Sequence, residues 1–196
     1  MHMRPCPQML CKFYALPLAL AALPLPPNAA AHAQSDIPLA FRETAAFWDI
    51  PDPALLYSVA LAESKRQLPE GALRPWPWTL NVAGKGYFYE TETQAWAALY
   101  EFIAAGERNI DIGLMQINYR WNEDTLIDPY TALNPVANLN MGAKILAAEY
   151  RVSGDWEIAV GRYHSPGSSP AQRARAARYR DHVAALRRAL QSETDP

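Results

Sequence analysis

Glu63 is a carboxylate in an otherwise apolar stretch, Pro53-Ala-Leu-Leu-Tyr-Ser-Val-Ala-Leu-Ala-Glu63-Ser64. Leu56, Val59, Ala60 and Glu63 keep the i, i+3, i+4, i+7 spacing of one helix face, so an amphipathic helix aims this acid at the core. A carboxylate taken out of water holds its proton to higher pH, which is what a general acid needs. The plainer alternative is a solvated Glu near a helix end, paired with Lys65 or Arg66. A second segment, Asp111-Ile-Gly113-Leu-Met115-Gln116-Ile-Asn118, has a Gly that admits close backbone approach, beside one apolar and one amide side chain that could meet a ligand. Its Ile110, Ile112 and Leu114 also alternate as a buried strand would. A third, Arg162-Tyr163-His164-Ser-Pro-Gly167, sets a phenol and an imidazole at a helix end, where such a pair can equally be structural. Asp111 is the one further acid next to these groups, with a turn or capping role as its alternative.

The elements that must position these residues are mostly helical. A short amphipathic segment spans Phe41 to Trp48. Asp52 then caps a helix that has Pro53 in its first turn and runs to about Arg66. Trp76 to Tyr89 alternates β-favouring and polar residues around Gly84-Lys-Gly86, which predicts a small hairpin. Thr91 and Gln94 have capping-box spacing for a helix that ends before Gly106. Asn134-Pro135 opens a helix to about Arg151, closed by Gly154; Asp155 caps a shorter one to Tyr163. After the loop Ser165 to Pro170, a basic helix runs from Ala171 to about Leu190.

Residues 1–33 read as a secretory leader: Arg4 and Lys12, no acid, an apolar run from Phe13 to Leu25 interrupted by Pro17 and Pro24, then Ala31-His32-Ala33. That run is too short to leave a stable membrane span after processing. Cys6 and Cys11, the chain's two cysteines, both lie in the leader, so the exported part has no disulfide. What remains, about 160 residues, is the size of one domain and buries roughly two-thirds of its unfolded surface. The whole chain has a formal charge of −2, and losing Arg4 and Lys12 makes the remainder more acidic, which argues against a nucleic-acid partner.

Taken together, Glu63-Ser64, Gly113-Leu-Met-Gln116, Tyr163-His164 and the helix motif Asn134-Pro-x-x-Asn138-x-x-x-Gly142 resemble the soluble lytic transglycosylase family. The likeness covers roughly residues 40 to 167. It implies a mainly α, lysozyme-like (α+β) fold with a small β-hairpin insert, organised as a leader at 1–33, the domain at 34–168, and a basic helix and tail at 169–196. It also implies an enzyme without cofactor that cleaves the β-1,4 bond after N-acetylmuramic acid in peptidoglycan. Glu63 is the implied catalytic acid and then base. Ser64, Gly113, Met115, Gln116, Tyr163 and His164 are the implied substrate contacts, with Ser64 or Tyr163 also able to hold the Glu63 carboxyl. Hydrolytic glycosidases generally use two carboxylates. In this family the sugar's own 6-hydroxyl replaces water and closes a 1,6-anhydro ring, so one acid suffices.

The small exported form with Asp-Ile-Gly-Leu-Met-Gln-Ile-Asn looks like the subgroup that accompanies conjugation and secretion machinery. This implies a periplasmic site of action, with glycan strands and components of such an apparatus as partners. The chain departs from the family at His164, where Asn is usual. Trp76, Trp78, Tyr87 and Tyr89 could stack on sugars or simply pack.

Other chemistries find no residues. Beyond the leader only His164 and His182 remain, without Cys or a His-Glu-x-x-His, so no metal site is expected. Ser165 has no Gly-x-Ser-x-Gly elbow. The six arginines Arg173, Arg175, Arg178, Arg180, Arg187 and Arg188 read as a solvated face of the last helix, or as a surface for an anionic polymer or an assembly partner. The remaining rivals to a transglycosylase are a lysozyme-type hydrolase that needs Asp111 and a non-catalytic peptidoglycan-binding scaffold.

Overall fold

The computed structural model describes residues 37–122 and 128–192; the expected leader lies outside the described residues. Helix α1, Leu39–Phe47, buries Phe41, Thr44 and Ala45. Its Phe41 ring meets Tyr57 edge-on at 5.0 Å. Tyr57 lies on α2, Pro53–Ser64, whose Asp52 cap accepts from Ala54 N at 2.8 Å. Here the amphipathic expectation needs correction. Every residue from Ala54 to Leu61 is buried, so α2 is the central helix of the domain and is enclosed on all sides rather than along one stripe. It also stops at Ser64, because Lys65 has extended backbone and starts a strand.

That strand, β1 (Lys65–Gln67), pairs with β2 (Leu73–Pro75). The predicted hairpin follows as β3 (Thr79–Val82) and β4 (Lys85–Phe88), but its turn is Ala83-Gly84, with Val82 opposite Lys85. Both turn residues have positive φ, 50° and 88°, the combination that a two-residue hairpin needs to match strand twist. Lys85 and Gly86 therefore sit in the strand, not in the turn. Helix α3, Glu92–Ala104, is capped by Thr91, and the Gln94 side chain reaches back to the Glu90 N–H. Strands β5 (Ile110–Ile112) and β6 (Ile117–Asn118) then extend the hairpin into a four-stranded sheet in the order β4-β3-β5-β6. Leu80, Val82, Ile110, Ile112 and Ile117 enter the core from one face of this sheet.

After a 3-10 turn at Thr131–Leu133 come α4 (Pro135–Ser153), α5 (Trp156–His164) and α6 (Pro170–Ser192). Asn134 and Asp155 cap α4 and α5 through their side chains, and Gly154 ends α4 at φ 69°. The fold is thus mainly α with a small β lobe. A boundary at residue 168 does not separate two bodies, since α6 packs on α5 and α2 and buries Tyr179 and Val183. At its far end Arg187 binds the α2 cap Asp52 at 2.7 Å, so α6 runs antiparallel to α2.

Gly161 makes the α5–α6 contact possible. A Cβ there would lie 2.8 Å from the Ala176 carbonyl oxygen, a backbone atom that cannot swing away. Gly161→Ala is expected to push the helices apart and to cost about 1–3 kcal/mol, read as a lower urea midpoint with an unchanged m-value.

Candidate active site

Glu63 is the next-to-last residue of α2, at the edge where the buried helix meets the sheet. Neither neighbouring cation neutralises it. Arg66 turns away, pairs with Glu90 and lies 4.5 Å above the Trp76 ring. The partner of Glu63 comes instead from α6, where the Tyr179 hydroxyl donates to Oε1 at 2.6 Å. Burial raises the Glu63 carboxyl from 4.5 to about 7; the Tyr179 hydrogen bond opposes this, and the charge of Asp111 adds to it. This is a carboxyl that stays protonated near neutrality yet has a donor ready for its anion.

The segment Gly113–Gln116 forms a tight turn between β5 and β6, and three helices hold it. Ser64 Oγ of α2 donates to Leu114 O at 2.8 Å. Asn138 of α4 accepts from Met115 N at 2.7 Å and donates to Ile112 O and Ala132 O, both at 2.8 Å. Tyr163 of α5 donates to Met115 O at 2.7 Å. Two glycines make room for this arrangement. Gly113 has φ 79°, and a Cβ on it would lie 2.5 Å from Asn138 Nδ2. A Cβ on Gly142 would meet the Met115 side chain at 2.5 Å.

Several implied substrate contacts are therefore placed differently. Ser64 and Met115 are buried and support the turn from within. Gln116, at φ 47°, folds its amide back so that Nε2 donates to Gly113 O at 2.8 Å. Tyr163 holds the turn rather than Glu63. Among the named residues, Asp111 is within electrostatic reach of Glu63, Tyr163 and His164, and Glu63 of Tyr163. His164 ends α5 exposed, its ring stacked on Tyr179 at 4.6 Å and within 2° of parallel. Partial desolvation of the stacked ring lowers its pKa, as does Arg175, while Asp111 raises it.

The hairpin aromatics pack on one another, while Trp78 Nε1 is buried without a hydrogen-bond partner among the described residues. Trp76 Nε1 donates to Tyr89 O, Trp76 meets Trp78 edge-on at 5.6 Å, and Tyr87 packs on Phe102. Among the described residues no group of three or more His, Cys, Asp or Glu could hold a metal ion.

Tyr179 and Asn138 are the two residues whose roles the sequence did not single out. Asn138 stood inside a quoted motif. Tyr179 carried a signal of its own, because Tyr179, Val183, Leu186 and Leu190 form a helical stripe beneath the arginines.

The raised pKa sets a sign for stability. The folded state prefers neutral Glu63, so its burial costs nothing below about pH 4.5 and destabilises increasingly as pH rises through about 7. Glu63→Gln is expected to match the wild type in acid and to exceed it by about 3 kcal/mol above that range, measured by urea unfolding across pH. Tyr179→Phe should move the Glu63 titration, followed by carboxyl ¹³C NMR, upward, because it removes a bond that favours the anion.

A family model described as "Transglycosylase SLT domain" matches residues 84–185, more than half of the chain. The match takes in the Gly113–Gln116 turn, α4, α5 and the part of α6 that bears Tyr179, while Glu63 lies upstream of it. No curated protein and no solved structure matches the chain. On the family match, this chain is a member of the transglycosylase SLT family.

Proposed function

We propose that the protein is an exported lytic transglycosylase that cleaves the β-1,4 bond after N-acetylmuramic acid and leaves 1,6-anhydro ends. The observation that carries this reading is Glu63 itself, a carboxyl with pKa raised to about 7 and a single hydroxyl donor at 2.6 Å, on the edge of a domain of this family. Protonated Glu63 gives its proton to the glycosidic oxygen and the bond to the anomeric carbon breaks. The resulting carboxylate, its charge met by the Tyr179 hydroxyl, takes the proton of the same sugar's 6-hydroxyl as that oxygen bonds to the anomeric carbon. No water enters, and Glu63 ends as it began, protonated. Holding the 6-hydroxyl over the anomeric carbon makes the step intramolecular, and ideal positioning is worth roughly 7–11 kcal/mol of the barrier.

Export to the periplasm is supported by the leader-like composition of residues 1–33. Local opening of the wall for a conjugation or secretion apparatus is supported by the resemblance of Asp111 to Asn118 to that subgroup.

Peptidoglycan digested in ¹⁸O-labelled water is expected to give unlabelled anhydro ends by mass spectrometry, and Glu63→Gln to give none. Labelled reducing ends would identify a hydrolase, and intact glycan with the wild type a binding protein. The acid must start protonated, so kcat/KM should fall as pH rises through about 7.

A further inference from the structure

The arginines of α6 do not form one surface. Arg187 binds the α2 cap Asp52, and Arg180 pairs with Asp181. Arg173 donates to the Ser168 carbonyl and lines the groove between α5 and α6. Arg175 and Arg178 differ from these, being exposed and without an ion pair to any described residue. Both lie beside Tyr179, whose hydroxyl meets Glu63. Arg175, Arg178 and His182 precede or follow Tyr179 by four, one and three residues, which at about 100° per residue gathers them within an arc of about 60° on one of its sides. The other side of Tyr179 is spent on packing, with Val183 buried and the Ala176 backbone against Gly161 of α5. The open side of the helix is therefore the basic one.

Two contacts tie this side to the catalytic carboxyl. Arg175 acts on His164, whose ring is stacked on Tyr179, and Asp111 acts on the same imidazole from the sheet. Lys65, two residues past Glu63 and exposed, acts on His182; partial burial lowers the His182 pKa and the Lys65 charge lowers it further. His182 is thus an N–H donor at neutral pH, while Lys65, Arg175 and Arg178 carry the charge. Lys65 also lacks an ion pair to any described residue. Like charges gathered without interleaved acids repel one another and make a field that draws in an anion.

Peptidoglycan brings an anion to this place. The sugar that Glu63 would cut is muramic acid, whose 3-oxygen bears a lactyl group. That group ends in a carboxylate, or in a peptide that itself bears carboxylates. Resting on the transglycosylase reading, we propose that Lys65, Arg175 and Arg178, with His182 as a hydrogen-bond donor, form a binding site for the carboxylates borne on the lactyl substituent of the muramic acid being cut. The site touches no reacting atom. It selects charged strands and holds the sugar beside Glu63, and the planar guanidinium suits it because its fork of N–H groups matches a carboxylate. Exposed pairs of this kind are individually weak, so the preference is a sum over several and is sensitive to salt.

The test compares kcat/KM on three forms of purified glycan strands: with intact peptides, with the peptide carboxylates converted to amides by carbodiimide and ammonia, and with the peptides removed by an amidase, which frees the lactyl carboxylate. The proteins are the wild type, Arg175→Gln combined with Arg178→Gln, Lys65→Gln, and Arg173→Gln as a control from the far side of the helix, all checked by thermal melting. Amidation is expected to lower the wild-type value on the order of tenfold, mainly through KM. The double variant should treat intact and amidated strands alike, Lys65→Gln should show a reduced preference, and Arg173→Gln should match the wild type. Added salt should erode the wild-type preference and leave the double variant unchanged, a response that a purely structural role would not produce. On peptide-free strands, an advantage of the wild type over the double variant assigns the site to the lactyl carboxylate, and its loss assigns the site to the peptide. Anhydro ends from the wild type together with an equal response to amidation in wild type and double variant would overturn this site alone. Wild-type products without anhydro ends would instead overturn the transglycosylase reading beneath it.

Discussion

The constraint on which the rest depends is the enclosure of a polar turn. Gly113 to Met115 is buried, so its peptide groups must find partners inside the protein or forfeit about 1–3 kcal/mol each. Ser64, Asn138 and Tyr163 are those partners, one from each of α2, α4 and α5. Each bond fixes a helix relative to the same turn. Because Ser64 follows Glu63, satisfying the turn also fixes where the acid lies.

Close approach is the second requirement, and it explains the small residues better than flexibility does. Gly113 lets the turn lie against the Asn138 amide, and Gly142 lets Met115 lie across α4. At Gly161 the backbones of α5 and α6 come near enough for Tyr179 to reach Glu63. The acid is consequently tuned by packing at a distance: the hydroxyl that meets its anion is positioned by a helix crossing, not by any residue adjacent to it in sequence.

Much of this was readable because helix ends are locally encoded. Asp52, Thr91, Asn134 and Asp155 cap the helices they were expected to cap, since the bond lies within three residues of the cap. The hairpin was readable as well, but its turn was not, because Gly84-Lys-Gly86 contains two candidate glycines and register alone selects Ala83-Gly84. The enclosure of α2 escaped a periodicity argument for a related reason. Tyr57 and Ser58 look like a polar side, yet Tyr57 packs on Phe41 of α1 and Ser58 turns its hydroxyl onto the Ala54 carbonyl. Roles in the site were harder still. Ser64, Met115 and Gln116 are residue types suited to a ligand, and only the tertiary structure reveals that their polar and apolar groups are used on the turn itself. Asn81 and Asp111 became a pair through strand register between segments about thirty residues apart, which no local motif records.

The Tyr179–Glu63 bond spans 116 residues of chain. Synthesis runs in one direction, so an emerging polypeptide exposes Glu63 long before the helix that bears Tyr179 exists. Until α6 docks, α2 has an open flank, and water reaches the carboxyl from the side that Val183 and Tyr179 later close. A solvated glutamate is ionised at neutral pH and a poor proton donor. The order of elements along the chain therefore sets when this carboxyl leaves water: only after α6 has been made and docked.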